Sequence, residues 1–571
     1  MLKLLHSSAA SGALALALSA GTAYADGGAD IRHVLLISID GMHSLDFINC
    51  ASGPIPSCPN LANLQRKGVN YLDASASKPS DSFPGLMALV TGGSARSVGA
   101  FYDVAYDRVL APPTIATGNG VAGGACAPGQ PNGTTTEYEE GIDLDQSKLD
   151  GGANAGIASI DPLKLPRDPY RNCAPVYPWN FVRTNTIFGV IHQAGGTTSW
   201  FDKHPAYSSV SGPGDGKNLD DFYAPEINSA VTPLPVSLPK GVSCSPLPDQ
   251  NAAAASNAYV DSFKNIQCYD TLKVDAIIRQ IHGETHDGSA KAPVPTIFGM
   301  NFQAVSVGEK LIEKFPSGKV FGGYVDAIGT PSAALLDDIQ FADASVGKMV
   351  DALKDRGLYE STLIIITAKH GQSPMDSARY LGIGHPSNSP ITTSPANILA
   401  NAGCLPLSES PLNPNGIGAT EDDVSQIWLN SACTTAQAVA LLEKQSPATA
   451  NIAGIGQIFS GVAMTQLFNA GGLPPLDSRT PDIIVTPNVG VTYSGSSKKQ
   501  AEHGGFAHDD TNVIMLVSNP TLKARTITAP VTTMQVAPTI LAALRLDPTA
   551  LESVRMEGTE VLPGLLGRDR H

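Results

Sequence analysis

The plainest pattern in the chain is a set of short, nearly unbroken apolar runs, each ending on polar or small residues. Residues 32–39 read Arg-His-Val-Leu-Leu-Ile-Ser-Ile and stop at Asp40-Gly41. Residues 294–302 repeat the form, and so do residues 361–367, Ser-Thr-Leu-Ile-Ile-Ile-Thr, ahead of Ala368-Lys369-His370-Gly371. A strand apolar on both faces belongs in a parallel sheet with helices on either side. Shorter runs at 69–72, 197–201, 319–325, 482–486 and 512–517 read as further strands. Between them, Leu335, Ile339, Ala342, Val346, Met349 and Leu353 recur at helical spacing, which predicts a long amphipathic helix over 332–355. Helices are also predicted at 60–65, 186–196 and 533–544. The alternation of strand and helix predicts an α/β fold.

One stretch breaks the rhythm. Residues 77–92, Ser-Lys-Pro-Ser-Asp-Ser-Phe-Pro-Gly-Leu-Met-Ala-Leu-Val-Thr-Gly, read as a loop that turns abruptly into an apolar helix. Pro84 suits the first helical turn, where its missing N–H costs nothing. Ser82 then lies at or just before the helix start, facing free N–H groups and the positive end of the helix dipole. Either it caps the helix, as serine often does, or its hydroxyl serves as a nucleophile beside an anion site.

Composition narrows the class. With 571 residues, 42% hydrophobic and 16% charged, the chain can bury a large core. A net charge of -15 and the lack of a Lys/Arg cluster disfavour a nucleic-acid-coating role. At the N-terminus, Met1-Leu2-Lys3, an apolar run from Gly12 to Ala20 and Ala23-Tyr24-Ala25 form a secretory signal peptide over 1–25. The remainder, 26–571, reads as a single domain with irregular insertions near 102–180, 206–290 and 401–480. No transmembrane segment is expected. Eight cysteines after a signal peptide read as disulfides, and sequential pairing would link 50–58, 126–173, 244–268 and 404–433. Export to the periplasm or the extracellular space follows.

Ligands of open α/β sheets bind beyond the carboxyl ends of the strands. Asp40, His370 and the group Asp202-Lys203-His204 all stand at such ends. Asp202 and His204 suit a metal or a substrate, and Lys203 a phosphate; a surface turn with a local ion pair is the plainer alternative. A second His-Gly pair, His503-Gly504, precedes a later strand.

In order, these motifs are Ile37-Ser38-Ile39-Asp40-Gly41, Ser82-Phe83-Pro84-Gly85 with Leu89-Val90-Thr91-Gly92, Ala368-Lys369-His370-Gly371 and Glu502-His503-Gly504-Gly505. The set resembles the alkaline phosphatase superfamily, most closely its type I phosphodiesterase/nucleotide pyrophosphatase branch. The resemblance covers roughly 31–100, 186–205, 294–372 and 480–560. It implies a three-layer α/β sandwich with a largely parallel central sheet, and a centre holding one or two divalent metal ions, zinc above all. It implies Ser82 as the nucleophile that forms a phospho-enzyme, and Asp40, Ser82, Asp326, His370 and His503 as metal ligands. A metal would lower the pKa of the attacking hydroxyl and neutralise phosphoryl oxygens.

The chain departs from the family at two places. Lys369 stands where an Asp usually precedes the His, and Asp326-Ala327-Ile328-Gly329-Thr330 lacks the final His of an Asp-x-x-Gly-His pattern; the strand ending at Asn301 is the other candidate for that position. Lys369 can instead hold a substrate anion, alongside Lys203 and His204. The expectation is a secreted, metal-dependent hydrolase of a small-molecule phosphate ester. A sulfatase, phosphonate hydrolase or phosphomonoesterase on the same fold, and a non-catalytic binding protein that has lost metal ligands, are the alternatives.

Overall fold

His33–Ile39 (β1) lies at the middle of an eight-stranded sheet, as its two-sided apolar pattern requires. The other strands are Gly68–Tyr71 (β2), Ser199–Phe201 (β3), Asp221–Tyr223 (β4), Ile297–Phe302 (β5), Thr362–Thr367 (β6), Leu516–Ser518 (β7) and Arg525–Ile527 (β8). Their order across the sheet is β8-β2-β7-β6-β1-β5-β3-β4. Only β7 is antiparallel to its neighbours. The computed structural model describes residues 30–53, 57–229, 259–315, 318–383, 393–405, 419–444, 454–468, 477–494 and 498–565. The expected signal peptide, Cys244 and parts of the 206–290 and 401–480 insertions lie outside those residues.

Successive side chains of a strand point to opposite faces, and β1 shows why the fold has three layers. Val34 and Leu36 join a core with Phe83, Leu86, Val90, Ile187, Phe188, Val536 and Ile540. Leu35, Ile37 and Ile39 join a second core with Phe47, Leu61, Ile277, Ile339, Val346 and Leu353. The first face is covered by Ser82–Thr91, Ile187–Gln193 and Val536–Ala543, the second by Ser44–Ala51, Pro59–Gln65, Phe263–Ile281 and Ala333–Asp355. Ser82–Thr91 is designated α1 and Ala333–Asp355 α2.

Two expected strands lie elsewhere. Gly318–Phe321 pairs antiparallel with Ile312–Phe315 as a hairpin outside the main sheet, and all four of its residues are exposed. Ile483–Pro487 belongs to a separate four-stranded antiparallel sheet with Ala419–Glu421, Ser425–Ile427 and Ile455–Ser460. Its core includes Ile427, Leu442, Ile483 and Val485. The 102–180 segment contains a hairpin, Val104–Asp107 against Thr134–Glu137. Among the described residues, three of the sequential disulfides are seen: Cys50–Cys58, Cys126–Cys173 and Cys404–Cys433.

Candidate active site

Strand register decides which polar residues meet. Ile39 of β1 is level with Phe302 of β5, and Ser38 with Thr367 of β6. The residues that follow continue the ladder: Asp40 N–H donates to the Phe302 carbonyl and Gly41 N–H to the His370 carbonyl, both at 3.1 Å. Asp40, Gln303 and Lys369-His370 therefore leave the sheet side by side. One strand further along, β3 delivers Asp202-Lys203-His204 to the same edge.

Ser82 enters from above this edge. The cap of α1 is Asp81, whose carboxylate accepts from Phe83 N–H at 3.2 Å. Ser82 is the first helical residue, so its hydroxyl is not spent on capping. Its Oγ lies 3.2 Å from His370 Nε2 and accepts from Lys203 Nζ at 3.1 Å. Gly85 makes this approach sterically permissible, since a Cβ there would stand 2.2 Å from the Lys369 carbonyl oxygen. Ser82, Asp40, Lys369 and His370 are all buried.

The charges beneath Ser82 are matched. Lys369 Nζ donates to both oxygens of Asp202, at 2.8 and 2.9 Å, and lies 3.9 Å from Asp40 Oδ2. Trp200 Nε1 donates to Asp202 Oδ2 at 2.8 Å and fixes that carboxylate. Asp40 accepts from Ser38 Oγ at 3.0 Å and from the Gln303 amide at 2.8 Å. Burial works to raise the Asp40 carboxyl, but the ammonium groups, Lys369 foremost and then Lys203, hold it well below the usual carboxylate range.

A second ring of groups surrounds Lys203. Glu139 pairs with its ammonium at 2.7 Å. Burial opposes the Glu139 charge, and Lys203 overcomes it, holding this carboxyl well below its ordinary value. Asp103 pays the converse: burial and the neighbouring Asp81 and Glu139 charges raise it well above the ordinary range. Burial and Glu139 push Asp81 up to about 6. His503 packs against His370 with ring centroids 4.1 Å apart, and its Nδ1 lies 3.4 Å from Asp81. Burial foremost, with the Lys310 charge adding to it, holds the His503 ring well below its ordinary pKa.

The structure thus brings Asp40, Ser82, Lys203, Lys369, His370 and His503 together. His204 stands behind them: its Nδ1 meets Glu226 at 2.8 Å and its Nε2 lies 3.8 Å from Glu139. Asp326 is not among them, which corrects its expected place as a metal ligand. It lies on an exposed turn after the hairpin and accepts from the N–H groups of Ile328 and Thr330. The strand beside β1 is β5, and the residue that follows it is the amide Gln303.

A sequence model of the type I phosphodiesterase / nucleotide pyrophosphatase family matches residues 34–121 and 321–510. The chain belongs to that family. It is accordingly a hydrolase of phosphoric esters. Among solved structures it is similar to murine ectonucleotide pyrophosphatase / phosphodiesterase 5, with 14% identity and a TM-score of 0.50 over 90% of this chain and 96% of that one. It is also similar to the human ectonucleotide pyrophosphatase / phosphodiesterase 5, with 14% identity and a TM-score of 0.49 over 90% of this chain and 95% of that one. The first likeness agrees with the mixed α/β sandwich described above. No curated protein matches the chain in sequence.

The family is generally dependent on divalent metal ions. The residues of this chain do not fit such an ion at Ser82. An ammonium occupies the position of the carboxylate before His370, and a second ammonium already touches Ser82 Oγ. Both oxygens of Asp40 are engaged by protein donors. A dication about 4 Å from one ammonium would be opposed by about 8 kcal/mol at an effective dielectric constant of about 20. Among the described residues, the one cluster of three His, Cys, Asp or Glu donors with metal-like spacing is His43, Asp46 and Glu309, away from Ser82.

Asp81, Asp103 and Glu139 were not foreseeable as parts of one centre. Gln303 follows an apolar run and had that signal. Asp103 and Glu139 come from the 102–180 insertion, which has no periodicity to place it.

Proposed function

We propose that the chain is an exported hydrolase of small-molecule phosphate diesters, nucleotide esters among them, that works through a phospho-Ser82 intermediate. The position of Ser82 Oγ carries this reading: a helix N-terminal hydroxyl held between Lys203 Nζ and His370 Nε2. Helix N-terminal N–H groups and an ammonium are suited to phosphoryl oxygens. Attack forms the Oγ–P bond and breaks the P–O bond to the alcohol, which leaves with the bonding pair. Water then attacks phosphorus and releases Ser82.

Two lysines supply less positive charge than two dications would, and the three carboxylates Asp40, Asp202 and Glu139 more than balance it. That balance favours a singly charged diester over a doubly charged monoester. The N-terminal apolar run and the three disulfides support export. No helix of the described residues is long and apolar enough to cross a membrane.

The test compares bis(p-nitrophenyl) phosphate, p-nitrophenyl phosphate and p-nitrophenyl sulfate with the wild type and Ser82→Ala. The diester is expected to be hydrolysed fastest, and only by the wild type. Intact mass of acid-quenched enzyme should show the phosphoryl adduct on Ser82. A Ser82→Ala protein with undiminished rate would remove the nucleophile assignment.

A further inference from the structure

We propose that Lys203 and Lys369 carry the positive charge of the reacting centre, and that His370 accepts the Ser82 proton, so that Ser82 is activated without a divalent ion. This rests on the hydrolase reading above for its chemistry, but its central claim concerns which cations the site holds.

The hydrogen bonds assign the protons. The Gly371 carbonyl can only accept, so His370 Nδ1, 2.8 Å away, carries a hydrogen. In the neutral ring that leaves a lone pair on Nε2, which faces Ser82 Oγ at 3.2 Å. The Lys203 ammonium can only donate, so Ser82 Oγ accepts from it at 3.1 Å. The one hydrogen of the Ser82 hydroxyl is thereby directed at His370 Nε2. The arrangement is that of a serine with a base on one side and a cation on the other, which stabilises the alkoxide as it forms.

Lys369 is a positioning residue. It touches neither Ser82 nor, by any contact, the place a phosphorus would take. Asp202 holds its ammonium with both oxygens, and the Tyr207 ring lies 4.2 Å from Nζ. The ammonium in turn lies 3.9 Å from Asp40 and offsets that buried carboxylate. A lysine at this position does the electrostatic work of a bound cation while occupying its space.

The step balances with water as the second reactant. The Ser82 proton moves to His370 Nε2 as Oγ bonds to phosphorus and the ester oxygen departs with its electron pair, taking a proton from solvent. Water then attacks phosphorus from the side the alcohol left, and its proton goes to solvent. Ser82 Oγ departs and recovers the proton from His370.

The experiment uses the purified full-length mature chain. Metal content is measured by plasma mass spectrometry, Zn²⁺ binding by calorimetry, and diester turnover with and without EDTA. Expected are less than about 0.1 metal ion per chain, no stoichiometric Zn²⁺ binding, and turnover unchanged by EDTA. Lys203→Met should lower kcat by about 10²–10³-fold with the circular dichroism spectrum retained. Lys369→Asp should gain stoichiometric Zn²⁺ binding, a readout that a purely structural lysine would not move. A wild-type chain that binds Zn²⁺ stoichiometrically and loses that ion in His370→Ala would overturn the proposal. If turnover depends on Ser82 but EDTA abolishes it and Zn²⁺ restores it, the lysine assignment fails while the hydrolase reading stands. If no ester is turned over, the hydrolase reading fails, and the Zn²⁺ titration of wild type and Lys369→Asp still decides which cations the site holds.

Discussion

Two buried clusters stand a few residues apart along the chain and use histidine in opposite ways. At the Ser82 centre, His370 gives one ring N–H to a carbonyl and turns a lone pair toward a hydroxyl. Three residues after Asp40, His43 commits both nitrogens. Its Nε2 meets the Gln372 and Asp509 carbonyls at 3.0 and 2.8 Å, and its Nδ1 meets Asp46 at 3.2 Å, Glu309 at 3.1 Å and the Tyr324 hydroxyl at 2.7 Å. Burial works against a charged His43 ring, but Glu309 and Asp46 raise its pKa well above the ordinary value. His43 is therefore structural, with both ring nitrogens taken up by protein partners, although its cluster has the spacing of metal donors. The spacing of donor atoms does not make a metal site or a catalytic one; the partner of each ring nitrogen decides.

The contrast can be broken in four ways. The largest effect is expected at Ser82: Ser82→Ala should reduce diester turnover by at least about 10³-fold with the thermal midpoint little changed, measured by steady-state rates and melting curves. Equal loss of stability would move Ser82 into the structural class with His43.

Next come the buried cations. His43→Ala leaves Asp46 and Glu309 without their cation and should cost about 3–5 kcal/mol in denaturant unfolding. Lys369→Met should cost a similar amount because it strands Asp202, and the double variant Lys369→Met/Asp202→Asn should recover most of that stability without recovering turnover. Recovery of both would remove Lys369 from the reacting centre.

A smaller, pH-dependent effect separates the clusters further. Because the folded pKa of His43 is raised, its contribution is complete below about pH 6.5 and is lost as pH rises through the higher folded value. The stability difference between wild type and His43→Gln should therefore shrink as pH rises above neutrality, read from melting curves at matched pH. A difference that grows with pH would mean a neutral ring.

The smallest effect is expected at Asp326. Asp326→Asn should leave turnover and melting unchanged, since the residue makes only a local turn on the surface. A large loss of turnover would restore it to the centre.

Much of the site was legible along the chain for one physical reason. A two-sided apolar run must be a covered strand, and the polar residues that end it must stand at the sheet's carboxyl edge. Asp40, Lys203, Lys369 and His370 were found this way, and Ser82 by the abrupt turn from polar loop to apolar helix. The same logic misplaced Asp326. Its preceding run, Lys319-Val320-Phe321, looks like a strand, yet it pairs with Ile312–Phe315 in an exposed hairpin because nothing in the local pattern records which strand lies beside β1.

By itself the sequence determined the sandwich, the strand edge and the residue types at that edge, because burial on two faces is written in local hydrophobicity. Only the tertiary structure decided the pairings. Lys369 with Asp202, Lys203 with Glu139 and Ser82, and Gln303 with Asp40 are contacts between segments far apart in the chain. They are set by strand register and by where an irregular insertion folds back. Those contacts, rather than the list of residues, distinguish a serine activated by neighbouring ammonium groups from one activated by a bound ion.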